Sequence, residues 1–176
     1  MRILETERLL IRRFTLSDTT FILQLLNDPD WKKYIGDRGV RNLDDARAYL
    51  VNGTLKNYRR LGFGFYMVER RSDGVPMGMC GLIKRPRLDD VDIGYAFLPA
   101  FRGKGYARES AEAVLAYARD ELNLDRVSAI VTPNNERSIQ LLEKIGLRYE
   151  RMVDWPNGDK LKLYVIEFDT ADPTPP

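Results

Sequence analysis

Histidine is absent from the 176 residues, and cysteine occurs once, as Cys80. The first absence excludes Ser-His-Asp and Cys-His nucleophilic centres, histidine general bases and histidine-bearing metal sites. The second excludes an internal disulfide and a thiolate cluster for zinc. Chemistry must use carboxylates, hydroxyls, backbone amides or a cosubstrate with its own reactivity, and no metal is expected. Long apolar runs are missing too. Charge-free stretches such as Val75 to Ile83 fall far short of the roughly 20 residues that a membrane-spanning helix needs, so no membrane partner is expected. The first residues, MRILETERLLIRRF, carry charge throughout and have no apolar h-region, so they do not read as a secretory signal. A cytoplasmic location is the expectation. An excess of charge of one sign is lacking as well: 28 Lys plus Arg nearly balance 26 Asp plus Glu, for a net charge of +2. That gives no general field to hold nucleic acid, and the basic pairs in RR, RRS and KRPR are scattered. No nucleic-acid partner is expected.

What is present suits one domain over residues 1–168, with a proline-rich tail, 169–176, that should be disordered. RLLIRRF (8–14) alternates enough for a first strand. Ser17 can cap a helix carrying Phe21, Ile22, Leu25 and Leu26 that stops near NDPD, and Asn42 can cap a second with Ala46, Tyr49 and Leu50 on one face. FGFYMVER, VPMGMCGLIKR and VDIGYAFL read as an antiparallel meander, the first two joined through the hairpin signal SDG. From Gly105, residues Ala107, Ala111, Val114, Leu115, Ala118 and Leu122 recur at helical spacing. RVSAIV is a buried strand, and NNERSIQLLEKIGL is a helix closed by Gly146. RYERMVDW and KLKLYVIEF flank the turn residues Asn157 and Gly158. The class is α+β, with seven strands in a mixed sheet and helices packed on it.

One junction stands out. FLPAFRGKGYARES runs from strand to helix through Arg102, Gly103, Lys104 and Gly105. The first N–H groups of a helix have no partner and sit at its positive dipole end, so such a turn suits a phosphate, and glycine lets the backbone come close. A tight loop with solvated charges accounts for the same residues. The P-loop spacing is missing, and the dinucleotide pattern would need a third glycine where Arg108 stands.

RGKGYA resembles the Arg/Gln-x-x-Gly-x-Gly/Ala motif of the GNAT superfamily of N-acetyltransferases, through Arg102, Gly105 and Ala107. LETERLLIRRFTLSD, VDIGYAFLPAFRGKGYA and VTPNNERSIQLLEKIGLRYE extend the resemblance over nearly the whole chain, in wording similar to the ribosomal-protein alanine N-acetyltransferase (RimJ/RimL-like) branch. The resemblance implies a seven-stranded, mostly antiparallel sheet with helices on both faces, whose fourth and fifth strands, VDIGYAFL and RVSAIV, splay apart. It implies that acetyl-CoA is the cosubstrate and that backbone amides of Arg102, Gly103, Lys104, Gly105, Tyr106 and Ala107 hold its diphosphate. Backbone groups of Phe97 and Leu98 would meet the pantetheine arm, with Asn135 and Ser138 contacting it from the helix that follows the fifth strand. Core packing also accounts for Phe97 and Leu98, and helix capping for Asn135 and Ser138.

Acetyl transfer needs a neutral amine. Deprotonation at pH 7 costs about 4 to 5 kcal/mol for a lysine-like amine and about 1 for an α-amine. Without histidine the base should be a carboxylate acting directly or through water, and Asp92, beside an apolar run, is the first choice; Glu69 and Glu150 are weaker candidates, and a charged hairpin end explains DDVD equally. Many relatives place a tyrosine acid where this chain has Leu142, a departure that removes the usual acid; the resemblance leaves Ser138 as a candidate to donate a hydrogen bond to the sulfur or to an ordered water. Trp31, Tyr34, Asp28, Asp30 and Asp37 fall in a region that borders the acceptor cleft in such folds, although a solvated acidic loop with two core aromatics is the plainer reading. The acceptor is expected to be a primary amine, on a protein N-terminus or a small molecule, and a homodimer is compatible with the resemblance. The alternative is a CoA-binding sensor or interaction module without turnover.

Overall fold

The computed structural model describes residues 1–169, so all but Asp169 of the proposed tail lies outside the described residues. These residues form two compact units, one of Met1–Ile83 and Ile93–Val114, the other of Lys84–Asp92 and the chain from Leu115 onward.

In the first unit, β1 (Arg2–Glu5), β2 (Leu9–Arg13), β3 (Phe65–Arg70) and β4 (Pro76–Ile83) pair antiparallel in that order, and β4 neighbours β5 (Val91–Phe97). Alternation places Leu9 and Ile11 of β2 fully inside. A 3₁₀ turn at Leu16–Asp18 is capped reciprocally by Thr15 and Asp18, and it leads into α1 (Thr19–Leu26). Asp18 also receives both Nη atoms of Arg12, at 2.9 and 2.8 Å, which ties the turn to β2. Asp28 then caps α2 (Pro29–Tyr34), a helix that the stop reading of NDPD misses, because Asp-Pro is equally a cap followed by the first helical residue. Asn42 caps α3 (Leu43–Asn52), accepting from the Asp45 N–H at 2.9 Å, and Gly53 separates α3 from α4 (Thr54–Leu61). The apolar faces of α1 and α3 meet Phe14, Trp31, Met67, Met79 and Leu98 in the core of this unit.

In the second unit the first two residues of β5 pair in parallel with β6 (Arg126–Val131), at Val91↔Val127 and Asp92↔Ser128. β6 pairs antiparallel with β8 (Lys160–Glu167), and β8 with β7 (Arg148–Asp154). Leu88, Val153, Leu161, Leu163 and Val165 make its core. α5 (Tyr106–Asp120), whose residues up to Val114 belong to the first unit and the rest to the second, buries Ala111, Val114, Leu115 and Ala118, the narrow stripe that the spacing anticipates. α6 (Glu136–Lys144) is capped by Asn135 and stops before Gly146, whose φ of 104° fits the left-handed residue past a helix end.

The architecture is α+β and mostly antiparallel. It has eight strands among the described residues rather than seven. The addition is β1, whose four residues RILE are too short and too charged at the ends to announce a strand, and which forms because β2 offers it a partner at Arg12, Ile11 and Leu10. No helix among the described residues is long and apolar enough to cross a membrane.

Candidate active site

In the first unit, β5 ends at Phe97, Leu98 and Pro99 lead into a 3₁₀ turn at Pro99–Phe101, and the chain reaches α5 through Arg102–Gly105. Gly103 and Gly105 adopt φ of 73° and 83°. That region is costly for residues with a Cβ, and two such residues flanking one other expose successive backbone N–H groups. Among the described residues, no protein acceptor takes the amides of Gly103, Lys104, Gly105, Tyr106 or Ala107; the first helical bond at this end runs from Glu109 to the Gly105 carbonyl, at 3.0 Å. Five unpartnered donors at the positive end of a fifteen-residue helix suit a diphosphate. The acetyl-CoA diphosphate fits this donor set on charge and hydrogen-bonding grounds.

Three details differ from the sequence-based expectation. The Arg102 N–H is bonded to the Pro99 carbonyl at 3.2 Å, so it does not belong to the free set. Its guanidinium is also engaged: Nε donates to the Phe97 carbonyl at 3.0 Å, Nη1 to Asp30 and Nη2 to Asp28, both at 2.6 Å. Arg102 therefore braces the loop against α2 rather than offering a cation to a ligand. Leu98 gives its N–H to the Met77 carbonyl at 2.9 Å, so that donor is not open to a ligand, and both Phe97 and Leu98 are buried, as core packing requires. Of the basic side chains around the loop, Arg108 pairs with Glu112 at 2.9 Å, while the Lys104 ammonium has no partner among the described residues.

The acids between α1 and α3 do not form an open negative patch. Asp28 and Asp30 meet Arg102, and Asp37 meets Arg41 at 2.5 Å. Trp31 is a core residue; Tyr34 is half-buried beneath Lys33, 4.9 Å from ammonium to ring centroid.

In the second unit, Asp92 is 1% exposed. One carboxylate oxygen accepts from Arg85 Nε at 3.0 Å, and the other from the Ser128 hydroxyl at 3.4 Å. Burial pushes this carboxyl up to about 6, against the opposing pull of Arg85 and Ser128. Such a group changes protonation near neutral pH, as an acid–base residue must. Glu69 and Glu150 are instead paired with Arg12 and Arg126, at 2.7 and 2.6 Å. The Asn135 carbonyl oxygen accepts the Ser138 N–H at 3.3 Å, so Asn135 is the cap and Ser138 the third residue of α6. Leu142 is 1% exposed and packs inside. Cys80 is fully buried and its thiol is pushed up to about 12, so it is no nucleophile. Among the described residues no group of three or more Cys, Asp or Glu could hold a metal ion.

Residues 8–148 match the family profile described as an acetyltransferase (GNAT) domain. The chain belongs to the GNAT acetyltransferases. As a member of that family it is an acyltransferase. It is similar to the Bacillus subtilis protein YnaD, described as an uncharacterized N-acetyltransferase, at 33% identity over 82% of each chain. Its fold is that of a GNAT-family acetyltransferase from Bacillus anthracis, with a TM-score of 0.77 and 30% identity over 95% of this chain and 98% of that one. A structure of RimL, a ribosomal L7/L12 α-N-protein acetyltransferase in complex with coenzyme A, superposes with a TM-score of 0.81 over 97% of this chain and all of that one; its 17% identity speaks for the fold.

One contributor is invisible to motif reading. Arg8, at the turn between β1 and β2, donates through Nη1 to the Lys104 carbonyl at 2.9 Å and lies over the Tyr106 ring. Its sequence signal is only an Arg two residues after Thr6, inside a strand-like run.

Proposed function

We propose that the chain transfers an acetyl group from acetyl-CoA to a primary amine by direct attack on the thioester. The observation that carries this reading is the row of unpartnered amides from Gly103 to Ala107, at a loop whose two left-handed glycines leave room for a diphosphate. Bound acetyl-CoA supplies an activated acyl carbon. The amine nitrogen bonds to that carbon, the carbon–sulfur bond breaks, and the amine proton passes through water to the Asp92 carboxylate. A thiolate with a pKa of about 8.5 leaves without full protonation, helped by a hydrogen bond from Ser138, and takes its proton from solvent. Asn135 contacts the pantetheine arm while capping α6.

An α-amine is the favoured acceptor, because its neutral form costs less at pH 7 and because Asp28, Asp30 and Asp37, already paired, offer no free charge to a lysine-like cation. RimL, an α-N-protein acetyltransferase, supports the same choice. The alternative, a CoA-binding module without turnover, draws on Leu142, an apolar core residue where many relatives carry a tyrosine acid. A thiol-release assay with acetyl-CoA and a panel of α-amines, ε-amines and amino sugars separates the two. Amine-dependent release is expected, fastest with peptides bearing a free N-terminus; CoA binding with no release for any acceptor would establish the module instead.

A further inference from the structure

The glycine loop that precedes α5 is flexible by composition, and a peptide flip at Lys104–Gly105 would turn a carbonyl, rather than an N–H, towards an anion. Arg8 opposes that flip from 96 positions away in sequence. Its Nη1 donates to the Lys104 carbonyl at 2.9 Å, its Nε to Glu109 Oε2 at 2.7 Å, and its guanidinium carbon lies 4.4 Å from the Tyr106 ring centroid. Glu109 is fixed in turn, since its Oε1 accepts the Arg8 N–H at 3.1 Å and the Thr6 hydroxyl at 2.9 Å. Burial works against ionisation of Glu109, but these bonds outweigh it and keep the carboxyl below its usual range. A Cβ on Gly105 would stand 3.3 Å from Arg8 Nη2, so the guanidinium lies directly against the loop. In a trans peptide the C=O and N–H point to opposite sides. Gripping the Lys104 oxygen therefore sends the Gly105 N–H the other way.

We infer that Arg8, held by Glu109, is a positioning residue for the diphosphate loop: it fixes the Lys104–Gly105 peptide so that the Gly105 N–H faces the ligand. The inference rests on the acetyl-CoA reading above. Arg102, the arginine that the motif singles out, is engaged with Asp28 and Asp30, which leaves this task to Arg8.

The test uses two donors that share the thioester and the pantetheine arm and differ in the diphosphate: acetyl-CoA and acetyl-pantetheine. In Arg8→Ala the ratio of kcat/KM for acetyl-CoA over acetyl-pantetheine should fall about tenfold to a hundredfold, as expected for losing a charge-assisted bond, with the loss carried by KM for acetyl-CoA rather than by kcat. Arg8→Lys, which can reach only one of the two partners, should fall between wild type and Arg8→Ala. Glu109→Gln, which keeps an acceptor but loses the charge, should shift the ratio in the same direction. An unchanged ratio, whether both donors are spared or both suffer equally, would overturn the inference and leave Arg8 as a staple of the fold. Should Arg8→Ala fail to fold, Arg8→Lys and Glu109→Gln read the same ratio. A wild-type chain that binds no CoA in calorimetry would instead remove the acetyl-CoA reading itself, before any variant is made.

Discussion

Gly105 and Asp92 put opposite demands on their surroundings. Gly105 is exposed, holds a φ of 83° and carries one of the unpartnered amides, and a side chain there meets backbone strain with its Cβ only 3.3 Å from Arg8 Nη2. On the proposed function, Gly105→Glu strains the loop and sets a carboxylate against the guanidinium that holds the Lys104 carbonyl, and it should weaken CoA binding by about a hundredfold or more in calorimetry. Unchanged affinity in that variant would move the diphosphate elsewhere. Asp92 is buried, and its use as a base requires the ionised form. The rate should therefore rise with pH through about 6 as Asp92 loses its proton, and Asp92→Asn should remove that limb and lower kcat about a hundredfold or more, most for amines of high pKa. A pH–rate profile that survives the substitution unaltered would take Asp92 out of the chemistry and leave it as the buried partner of Arg85. At this scale the sequence is half legible. Glycines announce a loop because few other residues adopt its backbone, whereas the carboxylate partners of Arg102 lie 72 and 74 residues before it and the partners of Arg8 about a hundred after.

Strand β4 shows what elements demand beyond a hydrophobic pattern. An added Cβ at Gly78 would come 2.4 Å from the Ala96 carbonyl and 2.7 Å from the Phe97 ring, and one at Gly81 would come 2.3 Å from the Gly64 carbonyl. These glycines let neighbouring strands approach closely, and backbone cannot step aside as a flexible side chain can. Gly78→Ala should cost about 2 to 3 kcal/mol in urea denaturation, and a loss below about 0.5 would mean that β5 can give way there. Because Phe97 and Leu98 begin the path to the glycine loop, the same variant should raise KM for acetyl-CoA. The run VPMGMCGLIKR identifies this strand but not its glycine contacts, which for Gly78 lie on β5 further along the chain and for Gly81 on Gly64 before it. Two helices were legible by their caps, since Asn42 and Asn135 both stand where the structure uses them, whereas Ser17 lies inside the 3₁₀ turn that Thr15 caps and does not cap α1. The helix Pro29–Tyr34 was not legible, since Asp-Pro signals the end of one element and the start of another alike.

Across the whole molecule, nearly balanced charge is organised into pairs of arginine with carboxylate among the described residues, and Asp18 and Glu109 respond to their surroundings differently from Asp92. Burial opposes ionisation of Asp18, yet bonds from Arg12 and Thr15 hold its carboxyl below the usual range, and Glu109 behaves alike. Those two contribute stability that is present above the ordinary carboxyl range and lost as pH falls through their lowered values. Asp92 acts in the other direction. Its folded value, about 6, lies above the unfolded 3.8, so its contribution is fully present below about 3.8 and is lost as pH rises through about 6. Between pH 7.5 and 4.5 the unfolding free energy of the wild type should therefore gain about 2 kcal/mol relative to Asp92→Asn, which has no such proton to bind. Below about pH 4 both proteins should lose stability together as Asp18 and Glu109 become protonated. Urea titrations of the two chains at pH 7.5, 6, 4.5 and 3.5 provide the comparison, and parallel curves through the upper three would mean that Arg85 keeps Asp92 ionised throughout. In that event the carboxylate could not take up a proton near neutral pH, and the base in the proposed transfer would have to be sought among other groups.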